Sequence, residues 1–139
     1  MYNCFNKIIY FDELVSSNDY LINLYKKKNI SDVLTVYVNH QVSGRGRMGK
    51  TWFSGGDDGL SFSFSIQLYP KLNPLDMHFL VAVSVCKLLN KYDVDAYIKF
   101  PNDIFVENNK IAGILVENIS ISKRKYLIIG IGLNVNNIN

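Results

Sequence analysis

Three cations, Arg45, Arg47 and Lys50, fall within six residues of the run Ser43-Gly44-Arg45-Gly46-Arg47-Met48-Gly49-Lys50-Thr51. Chemistry done by such a run is chemistry with anions, and three kinds compete for it. Gly44 through Thr51 matches the P-loop pattern G-x-x-x-x-G-K-[ST]. Gly44, Gly46 and Gly49 match the dinucleotide-binding G-x-G-x-x-G, and GRGR matches a basic nucleic-acid-binding segment. The residues C-terminal to the run decide among them. Both phosphate loops pass straight into a helix whose N-terminal amides hold the phosphate. Here Lys50-Thr51 leads instead to WFSGGDDGLSFSFS, whose glycines and alternating Ser and Phe do not continue as a helix. A nucleic-acid groove needs a wider basic or aromatic surface than one loop supplies. A mobile glycine-rich loop between two strands remains, its two guanidinium groups placed to grip carboxylate or phosphate oxygens from different directions. A solvated basic surface loop is the alternative that the loop alone leaves open.

Positioning such a loop requires a scaffold, and the rest of the sequence describes one. Residues 5–11 read as a strand. SSNDYLINLYKKKN reads as a helix capped by Ser16, Ser17 or Asn18, with Tyr20, Leu21, Leu24 and Tyr25 on one face. Residues 33–39 form a strand leading into the loop. Leu60, Phe62, Phe64, Ile66 and Leu68 then alternate with Ser61, Ser63, Ser65 and Gln67, the period of a strand. Asn73-Pro74 opens a helix to about Tyr92 that is apolar nearly all round and so is expected to be well buried. Short strands over 96–100 and 103–107 flank Phe100-Pro101-Asn102. Asn108-Asn109 is expected to turn the chain into KIAGILVENI, and Ser122 to Arg124 into a last strand, KYLIIGIGLNVN. Hairpins without regular βαβ alternation predict one α+β domain over residues 1–139, with a mixed, mostly antiparallel sheet and its helices packed on one face.

The last strand carries a further asymmetry. Leu127, Ile129, Ile131, Leu133 and Val135 share one face, while Ile128, Gly130, Gly132, Asn134 and Asn136 share the other. If the aliphatic faces lie against the helices, the opposite face is floored by Ser, Gly and Asn. A solvated sheet face usually carries Lys, Glu and Thr, whereas glycines let a ligand approach the backbone. A ligand bed is therefore expected, with an ordinary wet face as the alternative.

Composition excludes several classes. With 139 residues and 48% hydrophobic content the chain suffices for one compact domain. A net charge of +3 is too small for non-specific DNA binding. Cys4 and Cys86 lack metal-ligand spacing, and Cys86 reads as a buried free thiol. His40 and His78 stand apart from each other and from any ligand pattern. No apolar run reaches the ~20 residues that span a bilayer, and the N-terminus lacks the order of a signal peptide, so a cytoplasmic setting is expected.

GRGRMGKTWFS, then KFPNDIFVENNKIAGILVE, then IGIGLNVN, together resemble the biotin–protein ligase family. That family's landmarks are GRGRxGRxWxS, KWPNDI…K-x-x-GIL-x-E and G-x-N-[VM]-N, in this order; SSNDYL is similar to its STN segment. The resemblance spans nearly the whole chain and implies the class II aminoacyl-tRNA synthetase and biotin ligase type of fold. It also implies a two-step reaction. Biotin carboxylate attacks the α-phosphorus of ATP, giving biotinyl-5′-adenylate and pyrophosphate, and a lysine of a biotin carboxyl carrier domain then attacks the anhydride.

By motif position, Ser16, Ser17, Asn18 and Gln41 contact the ureido ring of biotin. Gly44, Arg45, Lys110, Gly113 and Leu115 complete the biotin site. Arg47, Trp52, Asn102, Lys110 and Asn134 serve the nucleotide, with Arg47 retaining the adenylate. Arg45, Arg47, Lys110 and Asp103 form the catalytic set, Asp103 also positioning Mg²⁺ or accepting the incoming amine's proton. ATP and biotin are the substrates and a carrier domain the protein partner. DNA and membrane are not expected, and the oligomeric state is left open, a dimer included.

Departures from the pattern are few. Met48 stands where many relatives carry a basic residue, Lys50 replaces Arg, Phe100 replaces Trp and Ser17 replaces Thr. Family catalytic domains continue past this last strand, whereas the sequence stops at Asn139 and has no N-terminal DNA-binding module, so repression is not expected. Two alternatives accompany a biotin ligase: a truncated, non-catalytic binder of biotin or its adenylate, and a ligase for lipoate or a related acyl acid.

Overall fold

A computed structural model describes residues 7–28, 30, 33–70 and 73–136. Nine strands and two α-helices are found there. They are β1 (Ile8–Leu14), α1 (Ser17–Lys28), β2 (Thr35–Gln41), β3 (Gly44–Arg45), β4 (Thr51–Trp52), β5 (Gly59–Leu68), α2 (Pro74–Asn90), β6 (Ala96–Lys99), β7 (Asp103–Val106), β8 (Asn109–Ile121) and β9 (Arg124–Asn134). Seven strands make one sheet in the order β1-β2-β5-β9-β8-β7-β6, and β3 pairs with β4 as a separate ribbon. β1 and β2 run parallel and the other pairs antiparallel, so the sheet is mixed and mostly antiparallel, as expected.

The alternating pattern of the central strands builds two cores, because successive strand residues point to opposite faces. On one face Leu127, Ile129 and Ile131 pack with Ile104, Ala112, Ile114 and the α2 residues Val81 and Ala82. On the other, Tyr126 and Ile128 pack with Leu21 and Tyr25 of α1 and with Leu34, Val36 and Ile119. The helices therefore lie on opposite faces, not together on one. The reason is the serine strand: Tyr25 Oη lies 2.6 Å from Ser65 Oγ, so α1 docks through a polar contact on the small-residue face. It covers only one end of that face.

α2 is not buried all round either. A helix laid on one sheet face buries a stripe, and Leu75 (74% exposed), Phe79, Leu80 and Leu88 remain outside it. The turns shift by a residue from expectation. Val106 pairs with Asn109, so Glu107-Asn108 makes the first turn, with Glu107 at φ 52°. Ser122-Lys123 makes the second. Strand β9 ends at Asn134, which leaves Val135 exposed instead of on the aliphatic face. Cys86 is half-buried and donates to the carbonyl of Ala96 at 3.0 Å. Cys4 and the first residues of the expected opening strand lie outside the described residues. No helix of the described residues is long and apolar enough to cross a membrane.

Ile129 is fully buried between β5 and β8. Ile129→Ala is expected to cost about 2–5 kcal/mol, read from the denaturant midpoint.

Candidate active site

Cross-strand pairing converts the small-residue pattern into a floor. Ser61 lies opposite Gly132, Gly132 opposite Gly113, and Gly113 opposite Asp103, so four strands present one row. The next row runs Ser63, Gly130, Leu115 and the third Ser65, Ile128, Glu117. Above the first two rows lies a cavity of about 290 Å³. Its walls come from the N-terminus of α1, the β3–β4 ribbon and the turn before β7.

The helix start supplies buried polar groups. Ser16 and Ser17 are 3% and 4% exposed and Asn18 3%. Asp19 N donates to Ser16 Oγ at 3.4 Å, so the serine caps the helix while lining the cavity. Ser17 N and Oγ donate to Gln41 Oε1 at 2.8 and 3.1 Å. Ser17 Oγ sits 2.6 Å from Ser63 Oγ, and Ser63 Oγ donates to Asn18 Oδ1 at 2.6 Å. Asn18 Nδ2 donates to Glu117 Oε2 at 2.8 Å. A methyl on Gly130 would overlap the Asn18 carboxamide, so this glycine makes the seat possible.

The glycine-rich run is a short hairpin instead of an unstructured loop. Gly44 pairs with Trp52 and Arg45 with Thr51, and residues Arg47–Gly49 close it in a 3-10 turn with Met48 and Gly49 at φ 55° and 75°. Its two arginines part company. Arg47 Nη1 donates to Asn102 Oδ1 at 3.1 Å and faces the cavity. Arg45 also lines the cavity but spends its guanidinium on Asp19 and Glu117, donating to Asp19 Oδ2 and Oδ1 at 3.1 and 2.6 Å and to Glu117 Oε1 and Oε2 at 3.0 and 2.8 Å. Burial acts to lower its pKa, yet the two carboxylates outweigh that and hold it above the ordinary arginine value.

A second chain of contacts runs along the opposite wall. Asn102 Nδ2 donates to Asp103 Oδ1 at 2.9 Å, and Asp103 Oδ1 pairs with Lys110 Nζ at 2.8 Å. Lys110 Nζ also lies 5.7 Å from the Trp52 ring centroid. The indole rests on Gly113 and Gly132, where an added methyl would meet or overlap it. Trp52 Nε1 is buried with no hydrogen-bond partner among the described residues, which typically costs about 1–3 kcal/mol. A buried donor close to the Lys110 ammonium suits an acceptor that arrives with a ligand.

Of the residues singled out from sequence, Ser16, Ser17, Asn18, Gln41, Arg45, Arg47, Trp52, Asn102, Asp103, Lys110, Gly113 and Leu115 line this cavity. Gly44 and Asn134 do not. Gly44 lies under the Trp52 carbonyl, and Asn134 reaches the Lys110 carbonyl at 3.4 Å. Asp19 and Glu117 carried no sequence assignment, although Glu117 stands inside the K-x-x-GIL-x-E run. His78, which no sequence pattern ties to a site, lies behind the wall. Its Nε2 is 3.3 Å from the Ile114 carbonyl that Asn102 Nδ2 also contacts at 3.2 Å. As for magnesium, Asp103 is a single carboxylate already holding an ammonium, and the described residues contain no cluster of three His, Cys, Asp or Glu suited to a metal. Such a donor set does not build a protein-borne magnesium site. Asp103 alone could at most share a magnesium ion with the phosphates of a bound nucleotide.

The described residues thus set cations over a floor of glycine and serine in a mixed, mostly antiparallel sheet. The chain belongs to the biotin/lipoate A/B protein ligase family, whose model matches residues 10–134. It is 33% identical over 132 residues to the bifunctional ligase/repressor BirA of Bacillus subtilis, covering 93% of this chain and 40% of that protein. It is 30% identical over 142 residues to the biotin–protein ligase of Homo sapiens, 96% of this chain and 20% of that one. Among solved structures, the biotin protein ligase of Aquifex aeolicus in complex with biotin and ATP is similar at a TM-score of 0.75. Identity there is 34%, over 96% of this chain and 54% of that chain. The chain thus spans about two fifths of the bacterial relative and half of the solved one.

Burial lowers the pKa of His78, with the Arg47 charge acting the same way. Its neutral form is the one the fold accommodates, so stability is fully present above the ordinary histidine value of about 6.5 and is lost as pH falls through the depressed folded value. Denaturant midpoints measured from pH 7 to pH 5 are expected to fall more steeply for the native protein than for His78→Gln.

Proposed function

We propose that this chain forms the substrate-activating core of an ATP-dependent biotin–protein ligase, residues 1–139 being the catalytic domain or its main part. The observation carrying the reading is that Arg47 and Lys110, from separate segments, line one cavity over a floor of small residues. Two mutually repelling anions, a carboxylate and a triphosphate, can be brought together only where fixed cations offset their charge. In the first step a biotin carboxylate oxygen attacks the α-phosphorus of ATP, and pyrophosphate leaves. In the second a carrier lysine attacks the acyl carbon, and AMP leaves.

Ser16, Ser17, Asn18 and Gln41 form the polar end of the cavity and would pair the ureido ring, which is costly to bury unpaired. Gly113 and Leu115 supply the floor, Gly44 the close approach of the hairpin. Lys110 would exchange the Asp103 carboxylate for the ligand's carboxylate and α-phosphate oxygens, freeing Asp103 to take the incoming amine's proton. Arg47 and Asn102 would hold the phosphate, Trp52 would wall the nucleotide, and Asn134 would sit at its edge. Magnesium belongs to the ATP phosphates in this scheme, where it neutralises charge on the leaving pyrophosphate. Biotin and ATP in the solved Aquifex aeolicus relative support this choice of substrates. Closure of the hairpin would exclude water from the adenylate.

Incubating a purified biotin carboxyl carrier domain with this protein, biotin and MgATP is expected to add one biotinyl group, seen by mass spectrometry. Biotin-dependent exchange of pyrophosphate into ATP isolates the first step, and its absence at saturating biotin would leave a binder without turnover. Exchange supported by lipoate but not biotin would move the substrate to another acyl acid. Lys110→Ala is expected to slow exchange by about a hundredfold or more. Arg47→Gly should leave exchange measurable while the adenylate escapes and labels lysines of bystander proteins.

A further inference from the structure

We infer that Glu117 and Asp19 are positioning residues that latch the glycine-rich hairpin over the cavity by gripping Arg45. The triad joins three segments that no local interaction would bring together: Asp19 in the first turn of α1, Arg45 on β3 and Glu117 on β8. Both carboxylates reach the same guanidinium nitrogen, Nη2, at 2.6 and 2.8 Å. One positive charge faces two negative ones, so the cluster carries a net charge of −1 and Arg45 has no charge left to offer an incoming anion. Arg47, which donates to the neutral Asn102, does. The two arginines of the run therefore divide their work, one holding the hairpin down and one meeting the ligand.

The same Glu117 Oε2 also takes the Asn18 amide, and Asn18 is fixed on its other side by Ser63. Glu117 thus sets which way the Asn18 carboxamide faces at the polar end of the cavity as well as where the hairpin rests. Trp52 pairs with Gly44 directly beside Arg45, so its indole leaves the Gly113–Gly132 seat whenever the latch opens. The side chains of Arg45, Asp19 and Glu117 are 39%, 37% and 24% exposed. Pairs so wetted are individually weak and screened by salt, which makes them suited to a latch that opens and closes.

The latch itself assumes nothing about the ligand. That it governs biotin entry and adenylate retention rests on the function proposed above, and the measurements separate the two. Trp52 is the sole tryptophan, so acrylamide quenching of its emission reports hairpin opening with no ligand present. Glu117→Gln, which keeps an acceptor for Asn18 but removes the charge, is expected to raise the open population roughly two- to fivefold. Asp19→Asn should act in the same direction, and 0.5 M salt should imitate both in the native protein. In an Arg45→Ala background, Glu117→Gln should add nothing further. Thermal midpoints close to the native value would show that the fold is retained. Unchanged quenching in both single variants, or additive effects with Arg45→Ala, would overturn the latch. In pyrophosphate exchange, Glu117→Gln should raise KM for biotin while leaving kcat nearly unchanged. A latch confirmed by quenching without any biotin-dependent exchange would fault the proposed function alone.

Discussion

Close approach to the sheet is the constraint on which everything else rests. Gly113, Gly130 and Gly132 leave the floor without side chains where Asn18 and Trp52 come down onto it. A methyl at Gly130 would lift the start of α1, and one at Gly132 would lift the ribbon. The serines of β5 serve the same end differently, being short enough to admit α1 and polar enough to bind it. A floor of ordinary strand residues would hold both elements several ångströms higher and leave no shared cavity.

Charge on that floor is arranged as internal substitution. Lys110 holds the Asp103 carboxylate, Arg45 holds two carboxylates, and Arg47 holds a neutral amide. An isolated cation over a partly desolvated floor would be costly, and a nearby carboxylate both offsets that cost and mimics the anion to come. The pairs differ in consequence. Asp103 is a single carboxylate that a ligand can displace, whereas displacing two from Arg45 means breaking two ion pairs at once. The buried Trp52 N–H fits the same logic, since Lys110 Nζ lies 5.7 Å from the centroid of its ring.

The two faces of the sheet serve separate purposes. The α2 face is aliphatic and stabilises the strands, with Leu127, Ile129 and Ile131 at its centre. The α1 face is aliphatic only at the end where Tyr126 and Ile128 lie, and turns to glycine toward β9's C-terminal end. One strand therefore contributes to two cores and a site, which is why its pattern looks irregular when read as a single alternation. The family-like motifs themselves straddle it, with Gly113 and Gly132 on the site floor and Ile104, Ile114 and Leu133 in or against the α2-face core.

Local patterns carried a good deal of the fold. Period-two alternation located β5 and β9, Asn73-Pro74 located the start of α2, and the glycine-rich and Pro-Asn-Asp segments pointed to Arg47, Trp52, Asn102 and Asp103, which line the cavity, while Gly44 and Asn134 do not. Those signals survive because backbone geometry and turn chemistry act over a few residues. Long-range pairing settled the remainder. The helices take opposite faces because Tyr25 reaches Ser65, a pairing 40 residues apart that no window contains. Arg45 faces carboxylates 26 and 72 residues away, so its charge is spent inside the protein, although its sequence neighbours make it look like an anion ligand. A charge's partner depends on which strands lie side by side, and that order is fixed by how the whole sheet assembles.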